Sequence, residues 1–376
     1  MNRAGLIVTA VLLLAGSMSS VWAEEKQQRF YLNPYLGAEQ FERSNDFRLG
    51  SLYDGFFPTR LEDFRRDIDN TAISGGFSSG YWFTDRLALE VSFGTSRRNA
   101  IRELSITAAP TFGSMAVFPA IGAPVRVGLF SSPAVVLFPT SSGACPTCPP
   151  VGWKLNYDQN VVDTHLDARV RPWQSMDKRS WLEGVLGFAY LHINQEFDHS
   201  ANGGTTAGFA STIVTNIDLT DNLFGGRVGA RGQYRIWRDF TLMGEAFGEF
   251  YHRNSNLSAE QEISNPGILR NFGGGAFTTS VTAPAQYSAR VSVSDSRFVP
   301  RFSGKFRLAY DFADWASLGF MYRFNALWNM SRPDAPTVIS PTPGVNSAPI
   351  LDHSLRIKDD DRIFSHFYGL ELAIKF

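Results

Sequence analysis

The sequence predicts an all-β fold, a transmembrane antiparallel β-barrel of about ten strands, with twelve possible. Three observations predict it. Segments of about ten residues with two-residue alternation recur down the chain, and their joints are alternately very short and long. That asymmetry marks barrels with short periplasmic turns and long surface loops. The chain closes on "FYGLELAIKF", in which Tyr368, Leu370, Leu372, Ile374 and Phe376 take alternate positions against Gly369, Glu371, Ala373 and Lys375. A strand that ends on a bare aromatic finds partners if it pairs with the first strand of a closed sheet, which has no edge.

The N-terminal "MNRAGLIVTAVLLLAGSMSSVWA" has one Arg, an apolar run from Leu6 to Ala15, and small residues at Val21 and Ala23. It reads as a secretory signal peptide over 1–23, leaving one barrel domain over 24–376, exported by a Sec-type route. The apolar run is too short to span a bilayer, and no Cys follows it to carry a lipid. Lys and Arg number 35 and Asp and Glu 36, a near neutrality that gives no reason to expect nucleic-acid binding.

The ten segments fall at about 30–41, 71–83, 87–98, 155–171, 181–195, 223–236, 240–252, 298–312, 316–329 and 364–376. The short joints are "FTDR", "RPWQSMDKRS", "IWRDF" and "FADW", where Asp suits a turn and aromatics suit a membrane interface. The long joints run about 42–70, 99–154, 196–222, 253–297 and 330–363 and are expected as surface loops.

The alternation assigns faces. In "LFGGRVGARGQYRIW" Phe224, Val228, Ala230, Tyr234 and Ile236 alternate with Arg227, Arg231, Gln233 and Arg235. In the next segment Glu245 and Glu249 share one parity. A three-residue turn, Trp237 to Asp239, would pair Ile236 with Phe240 and so set Arg231 opposite Glu245 and Arg227 opposite Glu249. Asp163, His165, Asp167, Arg169 and Arg171 share a face, as do Lys305, Arg307 and Asp311; Arg323 and Asn325 point inward, and Phe320, Tyr322, Phe324 and Trp328 outward. Lipid would penalise each Lys or Arg near the midplane by roughly 2–4 kcal/mol, so the charged faces line the lumen. A soluble β-sandwich would show alternation too, but accounts less well for the terminal aromatic.

"LNYDQNVVDTHLDARVRPW", "FGGRVGARGQYRIWRDFTLMGEAFGEFYHRN", "FVPRFSGKFRLAYDFADWASLGFMYRFNALWNM" and "HFYGLELAIKF" resemble strands of the Legionella-type major outer membrane proteins. The likeness covers about half of the chain beyond the signal peptide and leaves the loops unmatched. It implies an abundant surface barrel with porin-like behaviour, sometimes with adhesion through its loops. The family is rich in cysteine cross-links, whereas this chain has only Cys145 and Cys148.

Chemistry-bearing motifs are sparse. Cys145 and Cys148 in "GACPTCPP" read as a local disulfide in a surface loop; a redox dithiol lacks its context and a zinc site its second ligand pair. "DHSANGG" approaches a His-x-Ser pattern of lipid-cleaving barrels, but Ser200 directly follows His199, and a polar surface loop is the reading. Asp163, His165 and Asp167 could orient an acid–base histidine, yet Arg169 and Arg171 continue the same face as a charge ladder. No cofactor or metal is implied, and no enzymatic motif is intact.

Apolar "AAPTFGSMAVFPAIGAPVRVGLFSSPAVVLF", inside the 99–154 joint, is unusual for a surface loop. It would constrict the mouth, form a hairpin or lie in the outer leaflet. Passive passage of small solutes through a narrow charged lumen, or a structural role, is the leading expectation. A surface adhesion scaffold is the alternative, with a lipid or peptide hydrolase behind it. The expected partners are outer-membrane lipid, the barrel assembly machinery through the C-terminal strand, and small solutes.

Overall fold

The computed structural model describes residues 29–43, 48–53, 60–65, 71–106, 115–119, 134–137, 151–176, 180–204, 210–264, 269–273, 276–279, 286–339 and 354–376. Ten of its strands form the barrel: β1 (Phe30–Arg43), β2 (Thr71–Trp82), β3 (Leu87–Ile106), β4 (Val151–Gln174), β5 (Trp181–Gly204), β6 (Ala210–Trp237), β7 (Phe240–Ser264), β8 (Gln286–Ala313), β9 (Ala316–Ile339) and β10 (Ser354–Lys375). Each pairs antiparallel with its neighbours in chain order, and β10 returns to β1. At the closure Phe376 donates its backbone N–H to the Phe30 carbonyl at 2.8 Å, and the two rings lie 5.7 Å apart.

The outer face is apolar over a band that begins at the short turns. On β5 Leu182, Leu186 and Phe188 are exposed; on β7 the exposed set runs from Phe240 through Leu242 to Phe250; on β8 it runs from Phe312 back to Phe298. Aromatics rim both edges, with Tyr81, Phe83, Tyr234, Phe240, Tyr310, Phe312 and Trp315 at the turn end and Tyr190, Phe224, Phe250, Phe298 and Phe364 at the other. An apolar belt between aromatic girdles around an ionic interior is the organisation of a bacterial outer-membrane barrel.

The strands do not stop at the upper girdle, which corrects the extent expected for the long joints. β6 and β8 have 28 residues and β7 has 25, against about 9–11 needed to cross the bilayer. Sections of 99–154, 196–222, 253–297 and 330–363 expected as loops are therefore strand. Above the girdle the outward residues turn polar, so the apolar/polar contrast that marks a strand in the sequence vanishes there. "DHSANGG" is likewise strand rather than loop: His199 and Ala201 are buried inward and Ser200 lies on the other face.

Two further corrections concern connections. The β6–β7 turn has two residues, Arg238 and Asp239, with Trp237 opposite Phe240 and a bulge between Arg235 and Trp237. The bulge absorbs the residue assigned to a longer turn, so Arg231 still faces Glu245 and Arg227 still faces Glu249. In the 99–154 joint, Met115–Pro119 pairs with Ala134–Leu137 and with Arg48–Tyr53 from the first long joint, in a separate sheet with Arg60–Arg65. These strands add none to the barrel, which closes at ten. Leu269–Gly273 and Ala276–Thr279 form another small pair.

Candidate functional site

Inward residues near the turns build a cavity of about 840 Å³ that rises from Thr84, Asp85, Asp239 and Asp314 to Asp163, Arg301 and Asn325. Its walls are paired ions. Glu90 of β3 accepts hydrogen bonds from Tyr31 Oη at 2.6 Å, Arg169 Nη1 at 2.9 Å and Arg231 Nη2 at 2.6 Å. Glu183 of β5 joins Arg169 to Arg171, the latter at 2.6 Å. Arg171 stacks over Trp82, 4.0 Å from the ring centroid.

A second group lies deeper. Arg301 of β8 reaches Asp163 at 2.8 Å and Glu249 at 3.1 Å, and Arg227 reaches Asp167 at 3.2 Å and Glu249 at 3.7 Å. Lys305 and Arg307 hold Glu371 at 2.9 and 3.1 Å, and Lys305 also approaches Glu245 at 3.4 Å. Low dielectric makes such pairs costly to break, because the survivor stays buried without its counter-charge.

Above the ions the lumen carries an apolar layer, with Arg98, Gln159, Gln195, Asp221 and Arg253 buried around it. Phe41, Ala72, Ala189, Leu191, Ile193, Leu223, Tyr251, Val299, Leu327, Met330 and Ile363 pack as one buried cluster, with Val161 against it. They come from nine of the ten strands, every one except β3, where Ser96 and Arg98 are buried. β9 bulges at this level: the register shifts between Leu327 and Met330, Asn329 has φ 58°, and Met330 is fully buried. Between the ions and this septum remains a void of only about 50 Å³.

Of the residues predicted to line the lumen, Asp163, His165, Arg169, Arg171, Arg227, Arg231, Glu245, Glu249, Lys305, Arg307 and Arg323 lie on the cavity wall. Asp167 is buried behind it against Arg227, and Arg235 instead donates to the Arg238 carbonyl at 2.5 Å in the turn. Gly229 leaves no room in the lumen: a Cβ there would lie 2.3 Å from the Phe247 ring, which sits under Arg227 at 3.8 Å. At Gly225 a Cβ would meet the Phe250 carbonyl at 2.1 Å.

His165 Nδ1 lies 3.1 Å from Ser92 Oγ and Nε2 lies 2.9 Å from Asp163 Oδ1. The second approach lacks hydrogen-bond alignment, and Arg301 holds the other Asp163 oxygen. The group is a rung of the charge ladder rather than an aligned relay. Tyr368, Leu370, Leu372, Ile374 and Phe376 lie along the lipid side of β10. Cys145, Cys148 and residues 1–23 lie outside the described residues.

Sequence reasoning missed Tyr31, Glu90 and Arg301 as members. Within their strands Tyr31 and Glu90 stand beside uncharged inward neighbours, so no charge ladder announces them, whereas Arg301 continues the face of Ser303, Lys305 and Arg307. Parity was the available signal: Glu90 alternates with outward Leu87, Leu89 and Val91.

No family model and no curated protein matches this chain. Among solved structures it is similar to the outer membrane protease OmpT from Escherichia coli, at 10% identity over 96% of this chain and 100% of that one, with a TM-score of 0.43. It is similar to the CymD monoaromatic hydrocarbon channel, at 8% identity over 94% and 90%, TM-score 0.31. A third is the translocator domain of the autotransporter NalP from Neisseria meningitidis, at 6% identity over 100% and 96%, TM-score 0.27. These neighbours are outer-membrane barrels of unlike activity, and the likeness is one of fold.

Proposed function

We propose that this chain is a structural outer-membrane barrel, closed along its lumen, that holds a long-stranded recognition platform above the cell surface. The observation that carries the reading is the apolar septum, in which residues of nine strands fill the lumen above the ion pairs. Water and small solutes cross such a layer only if it moves. Export through the segment 1–23 and assembly through the outer face of β10 belong to the same reading, whereas the porin-like behaviour implied by the resemblance to the Legionella-type proteins belongs to the second.

Passive solute passage is a second reading, favoured by the cavity of about 840 Å³ and its ionic walls. In that case the septum is a gate. Single-channel recording of the refolded chain in a planar bilayer separates the two. Silence from the native chain, with steady openings once Leu191, Leu327 and Met330 are replaced by Ala, is the expected result. Steady openings from the native chain would reject the closed scaffold and leave the solute passage.

A further inference from the structure

The outer face of β4 to β8 above the upper girdle is built in rows. Cross-strand pairing sets Asn160, Asn194, Thr220, Asn256 and Ser294 side by side. The row above opens with Asp158, Glu196 and Asp218 and continues into two serines. Rows on either side are again mostly Asn, Asp, Glu and Ser. Two residues advance ~6.7 Å along a strand, or about 5 Å along the membrane normal at a tilt of roughly 40°, so four rows span about 15 Å.

This composition works against the strands that carry it. Asn and Asp are depleted in β-strands, and a face that needed only solubility would take Thr at no cost in propensity. Direct opposition of Asp158, Glu196 and Asp218 adds like-charge repulsion. Burial and the neighbouring Asp198 push the Asp218 carboxyl above its usual range. Within the sheet Arg97 of β3 offsets the charge at Asp158, at 2.9 Å, and a ligand from outside would offset the rest.

The side chains already bond laterally: Thr220 donates to Asn194 at 2.9 Å and Ser294 to Asn256 at 2.7 Å. A carboxamide has two donors and two lone pairs, so one lateral bond uses only part of its capacity. The remainder points away from the sheet. Short amides and carboxylates lose little rotamer entropy when a ligand orders them, and together they offer the donors and acceptors that sugar hydroxyls need. A protein partner would want an apolar centre. In these rows only Val162 is apolar, and it sits at the lower edge. Five carboxylates, Asp158, Asp198, Asp218, Glu196 and Glu260, against Arg290 in these rows disfavour bare phosphate.

We propose that this face is a contact surface for the saccharide headgroups of the glycolipid in the outer leaflet around the barrel. The proposal rests on the outer-membrane reading, because the rows begin directly above the lipid-facing girdle at Tyr190, Phe224 and Phe298 and are continuous with it. They therefore stand in the first polar layer beyond the acyl chains.

The test reconstitutes the refolded chain in three bilayers: outer-leaflet glycolipid with its core saccharide, the same lipid anchor stripped of saccharide, and phospholipid. Protease cleavage within the upper halves of β4 to β8 is timed in each. The intact headgroup is expected to slow cleavage by about tenfold relative to the stripped anchor. A variant carrying Asn194→Val, Thr220→Val, Asn256→Val and Ser294→Val, which raises strand propensity, is expected to insert equally and lose that protection. Equal cleavage with intact and stripped headgroups would overturn the proposal, as would full protection of the variant. Protection by an added soluble polysaccharide but not by the membrane's own glycolipid would also overturn it. Failure to insert in any of the three would instead overturn the outer-membrane reading.

Discussion

Arg253 of β7 reaches past β8 and donates from Nη1 to the backbone carbonyl of Asn329 on β9. Arg253 is fully buried, with Asp295 at 3.3 Å and Asp221 at 4.0 Å. Asn329 stands in the left-handed region, and its own Nδ2 donates to the Phe298 carbonyl at 3.2 Å. The β9 bulge that presses Met330 into the septum is thus held from both sides by polar bonds.

Asn tolerates the left-handed region and Gly prefers it, whereas a β-branched side chain is strained there. Asn329→Gly is expected to keep the septum shut. Asn329→Val is expected to cost about 1–2 kcal/mol and to admit brief channel openings. Paired bilayer recordings of the two variants check this, and equal silence from both would show that the bulge does not depend on its backbone conformation.

Removing Arg253 takes away the cation 4.0 Å from buried Asp221, while Asp295 keeps Arg297 at 3.2 Å. Arg253→Met is expected to destabilise the upper barrel by about 3–5 kcal/mol, the usual range when one partner of a buried pair is lost. Urea titration followed by protease susceptibility of β7 and β9 gives the readout. A change below about 1 kcal/mol would place the burden on the apolar packing instead.

Glu90 gathers three donors, from Tyr31, Arg169 and Arg231. Glu90→Ala leaves two buried guanidinium groups short of a counter-charge and should lower the temperature at which the folded band disappears on an unheated gel. Tyr31→Phe removes one hydrogen bond and should cost about 1–2 kcal/mol, clearly less. Reversal of that order would mean that Tyr31, not Glu90, organises the cluster.

His199 lies on the upper part of β5, beyond the membrane, where burial lowers its pKa from 6.5 to about 4. The unfolded state therefore binds the proton first as pH falls. Stability from the neutral imidazole is complete above pH 6.5 and is lost progressively between pH 6.5 and 4, by up to about 3 kcal/mol. Proteolysis of the upper strands against pH should show this slope, and His199→Gln should flatten it. An unchanged slope would assign the acid response to the carboxylates.

The barrel itself was legible in the sequence. Alternation in segments such as "GKFRLAYDF" obeys two opposed solvents, lipid outside and paired ions inside, and parity together with a turn register ties Arg227 to Glu249 and Arg231 to Glu245. Ten strands followed from the same contrast, because a charge on the lipid face is too costly to occur by accident. Where both faces meet similar surroundings the contrast fails, and the upper halves of β4 to β8, polar outside, read as loop. The septum was illegible for a different reason. Phe41, Leu191, Tyr251 and Met330 are far apart in the chain, and an inward apolar residue looks in sequence like an interruption of the pattern. Only closure of the sheet, with β9 bulged at Asn329, brings them to one level of the lumen, where exclusion of water from their shared surface turns four interruptions into one layer.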